Sequence, residues 1–384
     1  PVELDTDLRT ALKNRWQACS PLTTFAKGFN GGLIGWLGYD YGHNTPPGID
    51  FPLACFACYD VFIRPDELGG VHLYAAEQRL AEHVLQLLQQ PLVDDFTLNA
   101  PFAALMSKTA YRQAFMQVQN YLHSGDCYQV NLAQAFKAPC RGATALSAFI
   151  KLLQLSQAPY AAYLNNPYGE ILSLSPELFL EFATDGEVLT RPIKGTRPRR
   201  QDPAEDAAQF ADLATHPKDQ AENLMIVDLL RNDLGKHAAT GSVSVPKLFS
   251  VESFPQVHHL ISTVRCRLKP ESQPLDLLFD AFPGGSITGA PKKRAMEIID
   301  ELENCQRAIY CGSIGYLNAD GRGQWNIAIR TLLRVGAELY AWAGGGIVAD
   351  SDCESEYQEC FNKIGAILQS LEAGFLPAST DTAD

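Results

Sequence analysis

Apolar residues at Tyr111, Phe115, Val118 and Leu122 recur at helical spacing and predict a helix over 108–125, ended by Gly125-Asp126. Further helices are predicted over 1–25, 76–90, 144–157, 217–231, 275–281, 291–303 and 355–371. Between them lie short apolar or alternating runs. These predict strands at 54–63, 70–75, 127–132, 160–164, 170–175, 178–182, 187–190, 257–268, 309–317, 324–333 and 338–343. The segment 31–40 is a strand of another kind, dense in glycine and aromatic residues, which suits close packing against a second backbone. Long strand runs separated by helices predict an α+β fold with large, mainly antiparallel sheets. The proline- and acid-containing stretch 91–107 is the best linker candidate, and only the tail after Leu376 is of low complexity.

Composition narrows the function classes. A chain of 384 residues with 46% hydrophobic content can bury a large core, and its length suggests two or three domains. The net charge of −13 argues against nucleic acid and anionic membrane as partners. An anionic substrate must therefore be attracted by local positive charge or by a metal. No cationic-plus-apolar leader and no spanning apolar run is present, which fits a cytoplasmic protein. The chain begins at Pro1, so a preceding segment is expected to have been removed or left out. Among ten cysteines only Cys55-Phe56-Ala57-Cys58 has a motif spacing. With no second pair to complete a zinc site, reduced thiols are expected.

Several stretches carry candidate chemistry. In Arg191-Pro192-Ile193-Lys194-Gly195-Thr196-Arg197, Lys194 is expected where a strand gives way to a turn. It is either part of a solvated basic loop or a nucleophilic or anion-holding lysine. Asp219 and Glu222 lie three apart on one predicted helix, and Glu356 and Glu359 repeat the spacing on another. Two such faces form an oxygen-rich cradle for Mg²⁺, or remain solvated with Glu359 paired to Lys363.

Glycine-rich loops add possible anion sites. The run 282–293 leads through Pro291 into a helix, and its free amides suit an anion. It is not a nucleotide-binding P-loop, because Ala290 stands where that motif needs lysine. Gly344-Gly345-Gly346, expected as a loop after a strand, can set amides against a carboxylate. His259 lies on one strand face, as a structural or a catalytic group. Arg330 is expected within an apolar strand, where its charge demands an anionic partner. Glu177 closes the strand run Ser173-Leu174-Ser175-Pro176-Glu177 and suits a general acid if buried.

In this order, the stretches 173–177, 192–196, 221–233, 284–292 and 344–359 resemble the chorismate-utilising enzyme family, over about Gly31 to Lys363. The resemblance implies two large antiparallel sheets packed together with helices outside. It implies an N-terminal region over 1–106 that lacks its first strands, a chorismate-binding catalytic domain over 107–374 and a tail over 375–384. It also implies Mg²⁺ held by Glu222 and Glu359, with Glu356 and Asp219 beside them. Glu177 becomes the general acid, and His259, Tyr310, Arg330 and the Gly344, Gly345 and Gly346 amides line the chorismate pocket, with Ser286 and Lys363 close by. Pro159 and Tyr160 match part of an effector pocket that holds tryptophan in some members.

Two positions suggest a branch of the family. Lys194 stands where anthranilate-forming members usually have alanine, and Gln129 where isochorismate- and salicylate-forming members have a water-activating lysine. Together they imply conversion of chorismate and ammonia to 4-amino-4-deoxychorismate for folate, the ammonia coming from a glutamine amidotransferase subunit. Anthranilate formation and non-catalytic chorismate binding are the alternatives.

Overall fold

A computed structural model describes residues 7–42, 48–66, 68–93 and 95–377. Its helices are α1 (Leu8–Gln17), α2 (Gln78–Leu87), α3 (Lys108–His123), α4 (Leu146–Leu155), α5 (Pro203–Thr215), α6 (Pro217–Gly235), α7 (Pro274–Ala281), α8 (Lys292–Leu302) and α9 (Cys353–Phe375). The strands of the first half are β1 (Gly32–Leu37), β2 (Ala54–Tyr59), β3 (Val61–Pro65), β4 (Val71–Ala75), β5 (Thr97–Leu98), β6 (Ala103–Ala104), β7 (Gln129–Arg141), β8 (Tyr160–Asn166) and β9 (Gly169–Ser175). They continue with β10 (Leu178–Phe182), β11 (Glu187–Arg191), β12 (Ile193–Pro198), β13 (Ser244–Ser253) and β14 (Val257–Arg267). The last are β15 (Gly289–Ala290), β16 (Ser313–Asn318), β17 (Gly323–Asn326), β18 (Thr331–Val335) and β19 (Glu338–Ile347).

Two antiparallel sheets carry the fold. One runs β12-β14-β11-β10-β17-β16-β1-β2, with β13 also on β14; the other runs β15-β7-β19-β18-β9-β8, with β5 and β6 on β7. They share one apolar cluster, to which Leu37 and Trp325 come from the first sheet and Leu132, Ile171 and Trp342 from the second. β7 is buried on both faces over its first eight residues, so the polar Gln129, Asn131 and Gln134 lie inside along with Val130, Leu132 and Phe136. The expected linker is fastened in place: β5 and β6 pair with β7, and Phe96, Leu98 and Met106 are buried. The helix expected over 1–25 is confined to α1, residues 1–6 lying outside the described ones, as do 378–384 of the expected tail.

Several expected elements are redrawn, each at the site. Lys194 is inside β12 rather than at a turn. β11 and β12 run successively along β14, and between the pairs Ile193–Ile261 and Thr196–His259 one extra residue is accommodated. This bulge needs Gly195 at φ 87°, and a Cβ there would meet Asp219 and Leu213 side-chain carbons at 2.9 Å. The strand expected over 324–333 is two strands in different sheets. Arg330 sits in the crossing between β17 and β18 at φ 51°, a left-handed conformation that is uncommon for a residue with a side chain. Gly344, Gly345 and Gly346 form no loop; they lie inside β19, opposite Ala133, Leu132 and Asn131. Tyr310 precedes β16 in a turn instead of starting the strand.

Candidate active site

One cavity of about 960 Å³ opens between the two sheets, α6 and α9. Its floor includes Glu177, ahead of β10, and Lys194 on the β12 bulge. Across it stand Asp219 and Glu222 of α6 and Glu356, Glu359 and Lys363 of α9. His259, Ser286, Tyr310, Arg330, Gly344 and Gly346 complete the wall. Gly345 backs this wall, where a Cβ would lie 2.9 Å from Glu356 Oε2 and 3.6 Å from Glu359 Oε1. Residues from nine separate chain segments therefore meet in one place. Pro159 and Tyr160 do not join them; Tyr160 starts β8, its carbonyl accepting from Asn326 Nδ2 at 3.1 Å.

Burial sets the protonation of the central pair. Glu177 is 5% exposed, and loss of water pushes its carboxyl above the ordinary range despite opposing pulls from the Ser286 hydroxyl and Lys194. Loss of water pushes Lys194 below the ordinary lysine range; Glu222 and Glu177 oppose this, and the Lys363 cation adds to it. Both groups are thus driven towards their neutral forms, an acid that can donate and an amine that can attack. Arg191 and Arg197, close to Lys194 in the chain, are both engaged with carboxylates. Arg191 pairs with Glu252, and Arg197 with Asp212 at 2.6 Å and Asp219 at 3.0 Å.

The remaining groups divide between anion binding and support. Burial, then the Arg330 charge, lower His259 to about 4, so its imidazole is neutral near pH 7. Its Nδ1 lies 2.9 Å from Thr196 Oγ1. Arg330, with a side chain desolvated enough to lower its pKa, makes no ion pair among the described residues. A half-buried guanidinium with no ion pair among the described residues, held in a disfavoured backbone conformation, is suited to a carboxylate ligand.

The acid set fits a magnesium ion that keeps water and substrate oxygens among its ligands. Glu356 accepts from Ser351 Oγ at 2.6 Å through one oxygen, while Oε2 is buried with no hydrogen-bond partner among the described residues. Such an orphaned acceptor, facing Glu359 across the cradle left open at Gly345, suits a cation. Among the described residues, no three His, Cys, Asp or Glu side chains form a closed metal cage. Glu359 pairs with Lys363, one turn on along α9, at 2.5 Å. Asp219 is occupied by Arg197 and by His216 at 3.1 Å.

Some participants escaped the sequence reading. Lys218 lies on the rim, one turn from Glu222 at 3.9 Å, an i,i+4 spacing legible in hindsight. Arg307 stands behind the wall and is 1% exposed. It pairs with Glu303 at 2.7 Å and donates to the carbonyls of Ile287 at 3.0 Å and Asn131 at 2.6 Å. It thereby ties the turn carrying Ser286 to β7.

Residues 4–369 match the family model described as chorismate binding enzyme. The chain belongs to this family. It is 48% identical over 359 residues to aminodeoxychorismate synthase component 1 of Escherichia coli strain K12, covering 90% of this chain and 78% of that one. The same-named protein of Klebsiella aerogenes is 49% identical over 354 residues, with the same coverage. Among solved structures, anthranilate synthase component I of Streptococcus pneumoniae superposes with a TM-score of 0.84 at 31% identity, over 95% of this chain and 86% of that one. For a chorismate-binding enzyme, the cavity offers an arginine without an ion pair for a carboxylate, a neutral histidine, a buried acid whose pKa is raised and an amine whose pKa is lowered.

Proposed function

We propose that this chain is the synthase component that converts chorismate and ammonia to 4-amino-4-deoxychorismate, in the 4-aminobenzoate branch of folate biosynthesis in the cytoplasm. Ammonia would come from a glutamine amidotransferase subunit. The observation that carries the reading is Lys194, desolvated beside Glu177 in a chain 48% identical to a named aminodeoxychorismate synthase component 1. No helix among the described residues is long and apolar enough to cross a membrane, which agrees with a cytoplasmic site.

The dianionic substrate enters a protein of net charge −13, so attraction must be local. Arg330 takes one carboxylate. Glu222 and Glu359 would hold Mg²⁺ with Glu356 and Asp219 alongside, and the ion, when bound, neutralises the ring carboxylate and draws electron density from the diene. Lys194 Nζ attacks C2; the ring electrons shift, the C4–O bond breaks, and Glu177 supplies the proton with which the hydroxyl leaves as water. Ammonia then adds at C4, the C2–N bond breaks, and the freed proton returns to Glu177. Neutral His259, Tyr310 and Ser286 position the substrate, with the β19 glycines leaving room for it.

The second reading is anthranilate formation, favoured by the close superposition on an anthranilate synthase component I. Mass analysis of products from chorismate, Mg²⁺ and ammonium salt separates the two. Aminodeoxychorismate retains its enolpyruvyl group, whereas anthranilate formation releases pyruvate. Pyruvate released in step with product would overturn the first reading. No turnover with either nitrogen source, amidotransferase present, would favour a chorismate-binding regulatory subunit.

A further inference from the structure

The Cys55-x-x-Cys58 spacing does not bring those two thiols together. Cys55 lies opposite Trp36 and Cys58 opposite Leu33 on β1, and residues three apart on a strand point to opposite faces. Cys58 has a different neighbour. Its Sγ lies 3.2 Å from Sγ of Cys19, which follows α1. Both thiols are part-exposed, so small oxidants can reach them. Arg15, one turn before Cys19 and itself exposed, brings its positive charge within electrostatic reach of Cys58. Cys58 therefore has a cation on one side and a second thiol on the other. That is the arrangement in which a thiolate attacks an oxidant and a neighbouring thiol resolves the product.

We propose that Cys58 and Cys19 form a peroxide-responsive dithiol that closes into a disulfide between β2 and α1. In the first step the Cys58 thiolate takes one oxygen from hydrogen peroxide and releases hydroxide, leaving a sulfenic acid. In the second, the Cys19 sulfur attacks Cys58; the S–O bond breaks, the S–S bond forms, and water leaves with the Cys19 proton. Burial and the neighbouring Cys58 hold the Cys19 thiol up at about 12, which suits the resolving partner that keeps its proton until attack. A dithiol reductant reverses the bond by exchange.

The cross-link has a defined place in the fold. α1 is already tied to α7 through Arg9 and Lys13, which reach Asp276 at 2.9 and 2.7 Å, and through Arg9 to Asp280 at 2.8 Å. α7 leads into the turn carrying Ser286. A Cys19–Cys58 disulfide adds a covalent tie from the nine-stranded sheet to that assembly, and restricting the unfolded chain raises the thermal midpoint.

The test is peptide mapping under non-reducing conditions after treatment of the full chain with hydrogen peroxide. The proposal expects one cross-linked peptide containing Cys19 and Cys58, two hydrogens lighter than its parts, and a raised thermal midpoint that dithiothreitol abolishes. Cys19→Ser should stop at a Cys58 sulfenic acid that dimedone captures, and Cys58→Ser should leave Cys19 unmodified. Circular dichroism of both variants checks that they fold. Cross-linking of Cys58 to Cys55, a Cys58 thiol unchanged by peroxide, or equal dimedone capture at Cys19 and Cys58 in the single variants would each overturn the proposal.

Discussion

Thr196 Oγ1 lies 2.9 Å from His259 Nδ1, across the first of the three ladder positions at which β12 and β14 are paired beyond the Lys194 bulge. This bond fixes the imidazole plane and leaves Nε2 as the nitrogen available to the cavity. The register that orients His259 is therefore the one that displaces Lys194 out of the strand plane. Orientation of the two groups is coupled through backbone geometry.

Removing that hydroxyl leaves a buried ring nitrogen unpaired, a loss on the order of 1–3 kcal/mol. Thr196→Val should destabilise by about that amount in urea unfolding, and Thr196→Ser by less than half of it. Equal stability of the valine variant and wild type would contradict the bond.

Glu177 makes a prediction about pH. Its folded pKa is raised, so the folded state binds the proton more tightly than the unfolded chain does. Stability from this group is then full below the ordinary value of 4.5 and is lost as pH rises through the higher folded value. Glu177→Gln cannot ionise. Its thermal midpoint relative to wild type should climb as pH rises above 4.5, while kcat falls by ~10²–10⁴-fold. A midpoint difference that stays flat over this range would refute a protonated, buried Glu177.

The acid pairs are tested by binding rather than turnover. Mg²⁺ should raise the thermal midpoint of wild type, and Glu222→Gln and Glu359→Gln should each remove the shift. Gly345→Ala places a Cβ 2.9 Å from Glu356 Oε2 and should weaken Mg²⁺ binding by ~10–100-fold with every carboxylate still present. Identical Mg²⁺ shifts in all three variants would place the ion elsewhere.

Much of this site was legible in the chain, and the parts that were not share a physical cause. Helices announced themselves through periodicity: α3 and α7 fall within a residue or two of the apolar pattern. By contrast, α5 went unread although Asp202 caps Ala204 and Glu205 and Pro203 opens its first turn, a start signal with only Leu213 buried to mark a core face. Strand β13 is mostly exposed or half-buried and lacks an apolar run, so it too gave little signal. The glycines 344–346 were misread as a loop because their role depends on distant partners: Leu132 O, Glu356 and Gln129 occupy the space a Cβ needs. Nor can local pattern reveal that 324–333 crosses from one sheet to the other at Arg330, since register is a property of pairs. The motifs marked the segments that line the cavity, whereas the backbone corners that bring them together required the tertiary structure.

The nucleophilic role of Lys194 is the centre of the account, and one measurement reaches it most directly. The chain is incubated with chorismate and Mg²⁺ in strictly ammonia-free buffer, digested, and the Lys194 peptide weighed. The account predicts a gain of one chorismate less one water on that peptide, lost when ammonium salt is added. Lys194→Arg, which keeps a cation but no nucleophile, should show no adduct and very little product. An unmodified Lys194 peptide together with near wild-type turnover by Lys194→Arg would contradict the account and leave Lys194 as an electrostatic clamp.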